Sequence, residues 1–352
     1  MIQFIFKKVF KMECECRGNT SITRGKMQIG DSEQRGFDPM KGKSILYFTM
    51  ALGLCCLFTM SRFIWNDQNE LSPVKDLLSF NASRPFQYRI LIPMTVSWAY
   101  NHEFVKRHFS SPNLLFLIVE FLSIILLFAS FRRFLTCFLE SQFLIDFGPV
   151  VFFYSLASIY ILPRFNPFWY PWDMPSLVFF VYGMIFLREK KWVGFYPLFF
   201  LATLNRETTC FLTVIFIFVS FGKISHKELI THSAVQIGIW VGIKFFLSMV
   251  FQGNPGPGIY EDHLWENLQA FLEMESHVGF ISCMGFLWFP VILFFRDLED
   301  DFLKKSLWMA VLFFMGMMLV GNITELRIFG ELVPIVVTSF LVILQKKFFT
   351  SQ

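Results

Sequence analysis

Four short polar stretches interrupt a chain that is otherwise apolar, and they hold the side chains able to do chemistry. The first, WNDQNELSPVKDLLSFNASRPFQYRILIP, carries Asp67, Glu70 and Asp76, followed by Arg84 and Arg89. A carboxylate held there can act as a general base or help hold a divalent ion. Arginines beside it can grip a phosphate through two parallel hydrogen bonds. The plainer reading is a solvated loop whose acids cap helices and whose arginines meet headgroups. The second stretch, PRFNPFWYPWDMPS, is stiffened by Pro163, Pro167, Pro171 and Pro175. Trp169, Tyr170 and Trp172 fit an interfacial belt, or a platform on which a sugar ring stacks. Asp173 is then either a contributor to a helix N-terminus or an acid presented by that platform.

The third stretch, LATLNRETTCFL, places Asn205, Arg206, Glu207 and Thr208 inside nearly continuous apolar sequence from Trp192 to Phe221. Charges at such a depth are costly, and they pair or face a cavity. A tight turn between two short helices is the alternative. The fourth, NITELRIFGELVP, brings Glu325, Arg327 and Glu331 into the last apolar run. As an α-helix it would put Glu331 on the face of Arg327, at i+4. The loop QGNPGPGIYEDH has glycine and proline enough for a mobile lid, with Glu261, Asp262 and His263 behind it.

The elements that must position these residues follow from composition. The chain is 55% hydrophobic and 16% charged, with 49 Phe, and its mean hydropathy is +0.52. A water-soluble fold has too little interior for so much apolar surface, so lipid is the expected solvent. The net charge is only +4 and the basic residues sit in short connecting segments, which disfavours nucleic acid as a partner. Backbone amides in lipid must be satisfied internally, so the spans should be helices of about 20 residues.

Apolar runs predict spans at Ser44–Ile64, Asn113–Phe131, Phe147–Leu162, Pro175–Leu187 and Trp192–Leu204. Five more follow at Thr209–Gly222, Ser233–Phe251, Val278–Phe295, Ser306–Gly321 and Ile328–Leu344. Phe86–Tyr100, interrupted by Arg89 and Pro93, reads instead as an amphipathic helix at the interface. The expectation is an all-α polytopic bundle of about ten spans, between about nine and eleven. A polar tail occupies 1–43, the membrane domain 44–346 and a short tail 347–352. With both termini cytoplasmic, the inner segments hold Lys7, Lys8, Lys11, Arg132, Arg133, Arg188, Lys190, Lys191, Lys223, Lys227, Lys304, Lys305, Lys346 and Lys347. Each inner loop then has at least two basic residues, as the positive-inside rule requires. All four polar stretches fall on the opposite face. No phosphate-binding loop, GxSxG or HExxH is present. The CxC pair Cys14 and Cys16 has no further ligands beside it and reads as chance.

The layout resembles the GT-C superfamily of integral membrane glycosyltransferases, which use polyprenyl-phosphate sugars. Carrying it are a long first outer loop with early acids, an interfacial helix, and polar motifs on one face. The chain also looks like uncharacterised bacterial membrane proteins bearing RPFxYR, YDxPS-like, LNRET and ExRxFxELxP stretches. Here these match Arg84–Arg89, Trp172–Ser176, Leu204–Thr208 and Glu325–Pro334. The GT-C resemblance implies Asp67, then Glu70, as base or metal-associated acid, and Asp173 as a second-loop acid. Arg206 or Arg327 would hold the donor phosphate, with Arg84, Arg89, Glu207 and Glu331 completing the lipid-phosphate side. The sequence departs from that pattern in having no adjacent Asp-Glu pair and no DxD triplet. Two further classes stay open: a transporter or flippase, and an assembly subunit without chemistry.

Overall fold

The computed structural model describes residues 39–109, 111–162, 168–258 and 261–349, without the side chains of 39–44 and 275. The predicted tail up to Asp38, with Cys14 and Cys16, and the end of the predicted C-terminal tail lie outside the described residues, as do Pro163 and Pro167. Of the described residues, 77% are helical. Helix α1 (Pro39–Trp65) is followed by three short helices, α2 (Val74–Leu78), α3 (Leu91–Tyr100) and α4 (Glu103–His108). Next come α5 (Pro112–Leu135), α6 (Gln142–Tyr160), α7 (Asp173–Glu189), α8 (Trp192–Asn205), α9 (Cys210–Ser220) and α10 (His226–Val250). The final third holds α11 (Leu264–Ala270), α12 (Met274–Ser282), α13 (Trp288–Leu293), α14 (Asp301–Leu307), α15 (Met309–Val320) and α16 (Val333–Phe348).

Six segments among the described residues are long and apolar enough to cross a membrane: Ile45–Trp65, Pro112–Leu135, Gln142–Tyr160, His226–Val250, Asp301–Val320 and Leu326–Phe348. That is fewer than the expected ten, for local reasons. Helices α7, α8 and α9 have 17, 14 and 11 residues. Between α8 and α9 the backbone of Arg206 is extended, at φ −158, so the apolar sequence there cannot run as one helix. The expected span Val278–Phe295 is broken: Met284, Gly285 and Phe286 have φ of 55, 62 and 63. A Cβ on Gly285 would stand 2.3 Å from the Tyr154 ring, so the bend needs glycine at that point. Ser155 Oγ donates to the Met284 carbonyl at 2.6 Å, satisfying backbone that the bend releases.

Where helices begin cleanly, the sequence supplies the start. Ser111, Ser225 and Asp300 accept from the backbone N–H of Asn113, Glu228 and Leu303, which satisfies amides that no helical carbonyl can reach. Arg132 and Arg133 close the last turn of α5, where the helix dipole favours cations. The segment Phe86–Tyr100 becomes a 3-10 turn (Phe86–Tyr88) and the ten-residue α3, about 15 Å long and too short to span.

One large aromatic core joins the helices from Tyr47 onward; Phe131 and Phe152 stack at 4.0 Å. Helix α10 keeps Phe245, Phe246, Met249 and Val250 exposed, as a lipid-facing helix does. Two-residue strands β1 (Asp67–Gln68) and β2 (Phe168–Trp169) pair in parallel, with Asp67 opposite Phe168. This tie fastens the segment after α1 to the segment before α7.

Candidate functional site

Alternation of the helices puts the end of α1, the end of α6, the start of α7, the end of α8, the start of α9 and the approach to α16 at one end of the bundle. There the chain buries charge. Arg62, in the last turn of α1 and fully buried, reaches Glu120 of α5 at 2.8 Å and Asp173 at 3.3 Å. Its guanidinium lies 4.9 Å from the centre of the Tyr160 ring. Glu120 also accepts from Trp169 Nε1 at 2.7 Å, so the β1–β2 tie places a donor on a buried carboxylate.

Asp173 is the hub. It sits in the first turn of α7, where the helix dipole favours an anion. Besides Arg62 it meets Arg206 at 3.6 Å and Arg327 at 3.5 Å. Arg206 continues to Glu331 at 3.3 Å, and Thr208 Oγ1 donates to the same carboxylate at 2.6 Å. Arg327 pairs with Glu325 and lies 3.9 Å from the Tyr170 ring centre. Burial pushes the Tyr170 phenol up to about 12, despite the opposing pull of Arg327. Asn205 donates to the Trp172 carbonyl at 3.0 Å and to Ser176 Oγ at 2.7 Å. Arg206 is poised by the extended backbone that ends α8, its own N–H donating to the Ala202 carbonyl at 2.8 Å.

Toward the rim, Arg89 grips Glu207 through Nε (3.3 Å) and Nη2 (2.7 Å). Its guanidinium lies 5.1 Å from the Trp172 ring centre. These two side chains are 11% and 27% exposed against 0% for Asp173, so the polar cluster grades from sealed to accessible. Several buried donors have no protein partner: Arg62 Nε, Arg206 Nε, Arg327 Nε, Arg89 Nη1 and Trp172 Nε1. Unpaired donors of this kind cost free energy unless something accepts from them.

Of the residues singled out by sequence, Asp173, Arg206, Arg327 and Glu331 meet directly, and Arg89 with Glu207 adjoins them. Arg84 stands apart: its Nη2 donates to the Gly256 carbonyl at 2.8 Å, and its backbone N–H donates to Pro255 O. Asn254 likewise donates to Phe80 O and Ala82 O. The glycine-proline loop expected as a mobile lid is thus docked on the segment 80–84. A Cβ on Gly256, at φ +98, would stand 2.5 Å from Arg84 O. Asp67 and Glu70 are exposed. The backbone of Asp67 is committed to β1, and neither carboxylate joins the buried network.

Arg327 and Glu331 do not pair with each other as an α-helical i+4 spacing suggests. Leu326–Leu332 is a 3-10 segment, and three residues per turn rotate the two side chains about 120° apart. Sequence reading passed over Arg62, Glu120 and Tyr160, although Arg62 and Glu120 are lone charges in apolar runs, the feature that marked Arg206. Among the described residues no group of three or more His, Cys, Asp or Glu could hold a metal ion. The other end of the bundle carries ordinary half-exposed pairs such as Arg132–Asp146, Arg133–Glu189 and Arg188–Asp300. No known family model, curated protein or solved structure matches this chain.

Proposed function

We propose that this multi-pass membrane protein is a glycosyltransferase that binds a lipid-phosphate-linked sugar at the end of the bundle holding Asp173. The observation that carries the reading is the convergence of three buried guanidiniums, from Arg62, Arg206 and Arg327, on that one carboxylate. Buried arginines with spare N–H groups suit a phosphate that gains charge as the sugar departs, because fixed donors in a dry site need no reorganisation. Arg89, partly exposed beside Trp172, meets the phosphate first, and the aromatic rings of Tyr170 and Trp172 flank the path inward. Asp173 orients the guanidiniums. Asp67 and Glu70, exposed on the same outer segment, are the carboxylates open to take the acceptor's proton.

The topology that goes with this reading is about ten crossings, with α7, α8, α9 and the α12–α13 segment crossing despite their length or bend. Both termini are then cytoplasmic and the charge cluster faces the other side. The half-exposed Arg and Lys pairs at the opposite end agree with a cytoplasmic face.

The test is transfer of label from a short-chain polyprenyl-phosphate sugar to acceptor by protein in vesicles. Arg206→Ala should abolish transfer while leaving the protein inserted and monodisperse, and Arg206→Lys should restore little, since a point charge lacks the planar fork. Full transfer by Arg206→Ala would remove the residue from the mechanism. One observation favours a second reading, an assembly subunit without chemistry: every guanidinium of the buried cluster already has a carboxylate partner. Failure of the wild-type protein to bind any polyprenyl phosphate would favour that reading.

A further inference from the structure

Beside Arg206 and Glu331 lies a small cavity lined by Ser176, Phe180, Ala202, Thr208, Thr209, Leu212 and Glu331, with room for about one water-sized occupant. Its polar lining is one-sided. A hydroxyl has one hydrogen to give and two lone pairs, and each of these three has already given its hydrogen. Ser176 Oγ donates to Trp172 O at 2.7 Å, Thr208 Oγ1 to Glu331 Oε1 at 2.6 Å, and Thr209 Oγ1 to Arg206 O at 2.8 Å. Ser176 Oγ further accepts from Asn205, which leaves it one lone pair. Glu331 Oε2 is buried and has no partner. What the lining can still offer is lone pairs and a carboxylate oxygen. Among the side chains that line the cavity, a water would find acceptors for both its hydrogens and no donor for its own lone pairs.

The charge count points the same way. The ion pairs linking this cluster join three guanidiniums, of Arg62, Arg206 and Arg327, to four carboxylates, of Glu120, Asp173, Glu325 and Glu331. Within these ion pairs alone the carboxylates outnumber the guanidiniums by one, at a depth where charge is costly. Arg89 pairs with Glu207, and Lys244 is a further cation near that carboxylate. The cation nearest the cavity, Arg206, is shared between Asp173 and Glu331, so it does not neutralise Glu331 alone.

From these observations we propose that the cavity is a binding site for one small monovalent cation of sodium size, held by Glu331 Oε2 and the hydroxyl oxygens of Ser176, Thr208 and Thr209. Oxygen ligands suit a hard cation, and room for about one water-sized occupant suits an ion of sodium size. The unwound backbone at Arg206, between two short helices, resembles the setting in which membrane proteins hold such ions. The inference stands apart from the transferase reading and is measured with no lipid donor or sugar present.

The experiment is equilibrium binding of radioactive sodium to the purified full-length chain, with choline chloride holding ionic strength constant. The expected result is saturable binding of about one ion per chain, displaced by unlabelled sodium and not by choline. Glu331→Gln should abolish it. Because that change also touches Arg206, Thr209→Val is the milder variant: it keeps shape, leaves every ion pair in place and should weaken binding at least tenfold. Absence of saturable binding by folded protein at any pH from about 6 to 9, as expected if a proton on Glu331 balances the charge instead, would overturn the proposal. So would unchanged affinity in Thr209→Val.

Discussion

Asp173→Asn is the sharpest test of the buried cluster, because it changes one atom and one charge at the point where three guanidiniums meet. Removing one partner of a buried ion pair costs about 3–5 kcal/mol, since it strands the other charge. Here the contacts are 3.3, 3.6 and 3.5 Å, longer than an ideal charged hydrogen bond. Each guanidinium also keeps a second carboxylate: Glu120, Glu331 or Glu325. We therefore place the loss at the lower end, about 3 kcal/mol. If the ion pairs added nothing beyond their hydrogen bonds, the loss would be that of the two from Arg62 and Arg327, at about 0.6 kcal/mol each within a membrane, together with a helix-terminus effect of about 0.3–1 kcal/mol. Those figures lie close enough to the first that the single variant does not decide. The double variant Asp173→Asn/Arg327→Gln does. It removes a charge of each sign, so a charge-dominated cluster should lose less than the two single losses combined, by about 1–3 kcal/mol. The measurement is reversible unfolding in mixed micelles by detergent titration, followed by tryptophan fluorescence. Strict additivity, or a single-variant loss below about 1 kcal/mol, would refute the hub.

Other expectations follow from neighbouring contacts. A Cβ on Gly330 would stand 2.2 Å from Tyr160 Oη, a rigid ring that also lies against Arg62. Gly330→Ala should therefore cost about 1–3 kcal/mol, and Tyr160→Phe, which deletes a hydroxyl that has no partner, should recover part of it in the same unfolding assay. Trp169→Phe keeps the apolar contacts with Phe116 and Val74 but takes a donor from Glu120; a loss of about 1.5–3 kcal/mol is expected, and a negligible one would show that the Trp169–Glu120 bond is idle. The Tyr170 phenol, raised by burial to about 12, lies above its unfolded value of about 10. Its contribution to stability is thus intact below about pH 10 and falls between about 10 and 12. An ultraviolet difference titration against Tyr170→Phe should show this tyrosine ionising near 12; ionisation near 10 would contradict the burial.

How much of this was legible in the sequence depended on what each residue had to do. The helical character, the six long apolar segments and the isolation of Arg206 within apolar sequence all follow from hydropathy, because lipid penalises each misplaced polar group separately. Window averages hide the same penalty when one charge sits among many apolar neighbours. Arg62 looked like the flanking cation of a span, and Glu120, eight residues into α5, was diluted by the leucines and isoleucines around it. Asp67 and Asp173 illustrate the other limit. Both are acids beside predicted helix ends, and only pairing decides between them: Asp67 commits its backbone to a two-residue strand and leaves its carboxylate in the open, whereas Asp173 turns its carboxylate into the bundle.

The pairings themselves depend on turn type. Had Leu326–Leu332 been α-helical, Arg327 and Glu331 would neutralise each other, and neither would need Asp173 or Arg206. The 3-10 turn separates them, so that each must find a partner on another helix. That single change of pitch joins α1, α5, α7, the α8–α9 turn and the approach to α16 through charge, and leaves Glu331 with one oxygen to spare. A local backbone choice of this kind fixes where the unpartnered carboxylate oxygen of Glu331 sits. It follows that a substitution restoring α-helical pitch there should disturb Arg206 as much as Arg327, even though Arg206 lies more than a hundred residues earlier in the chain.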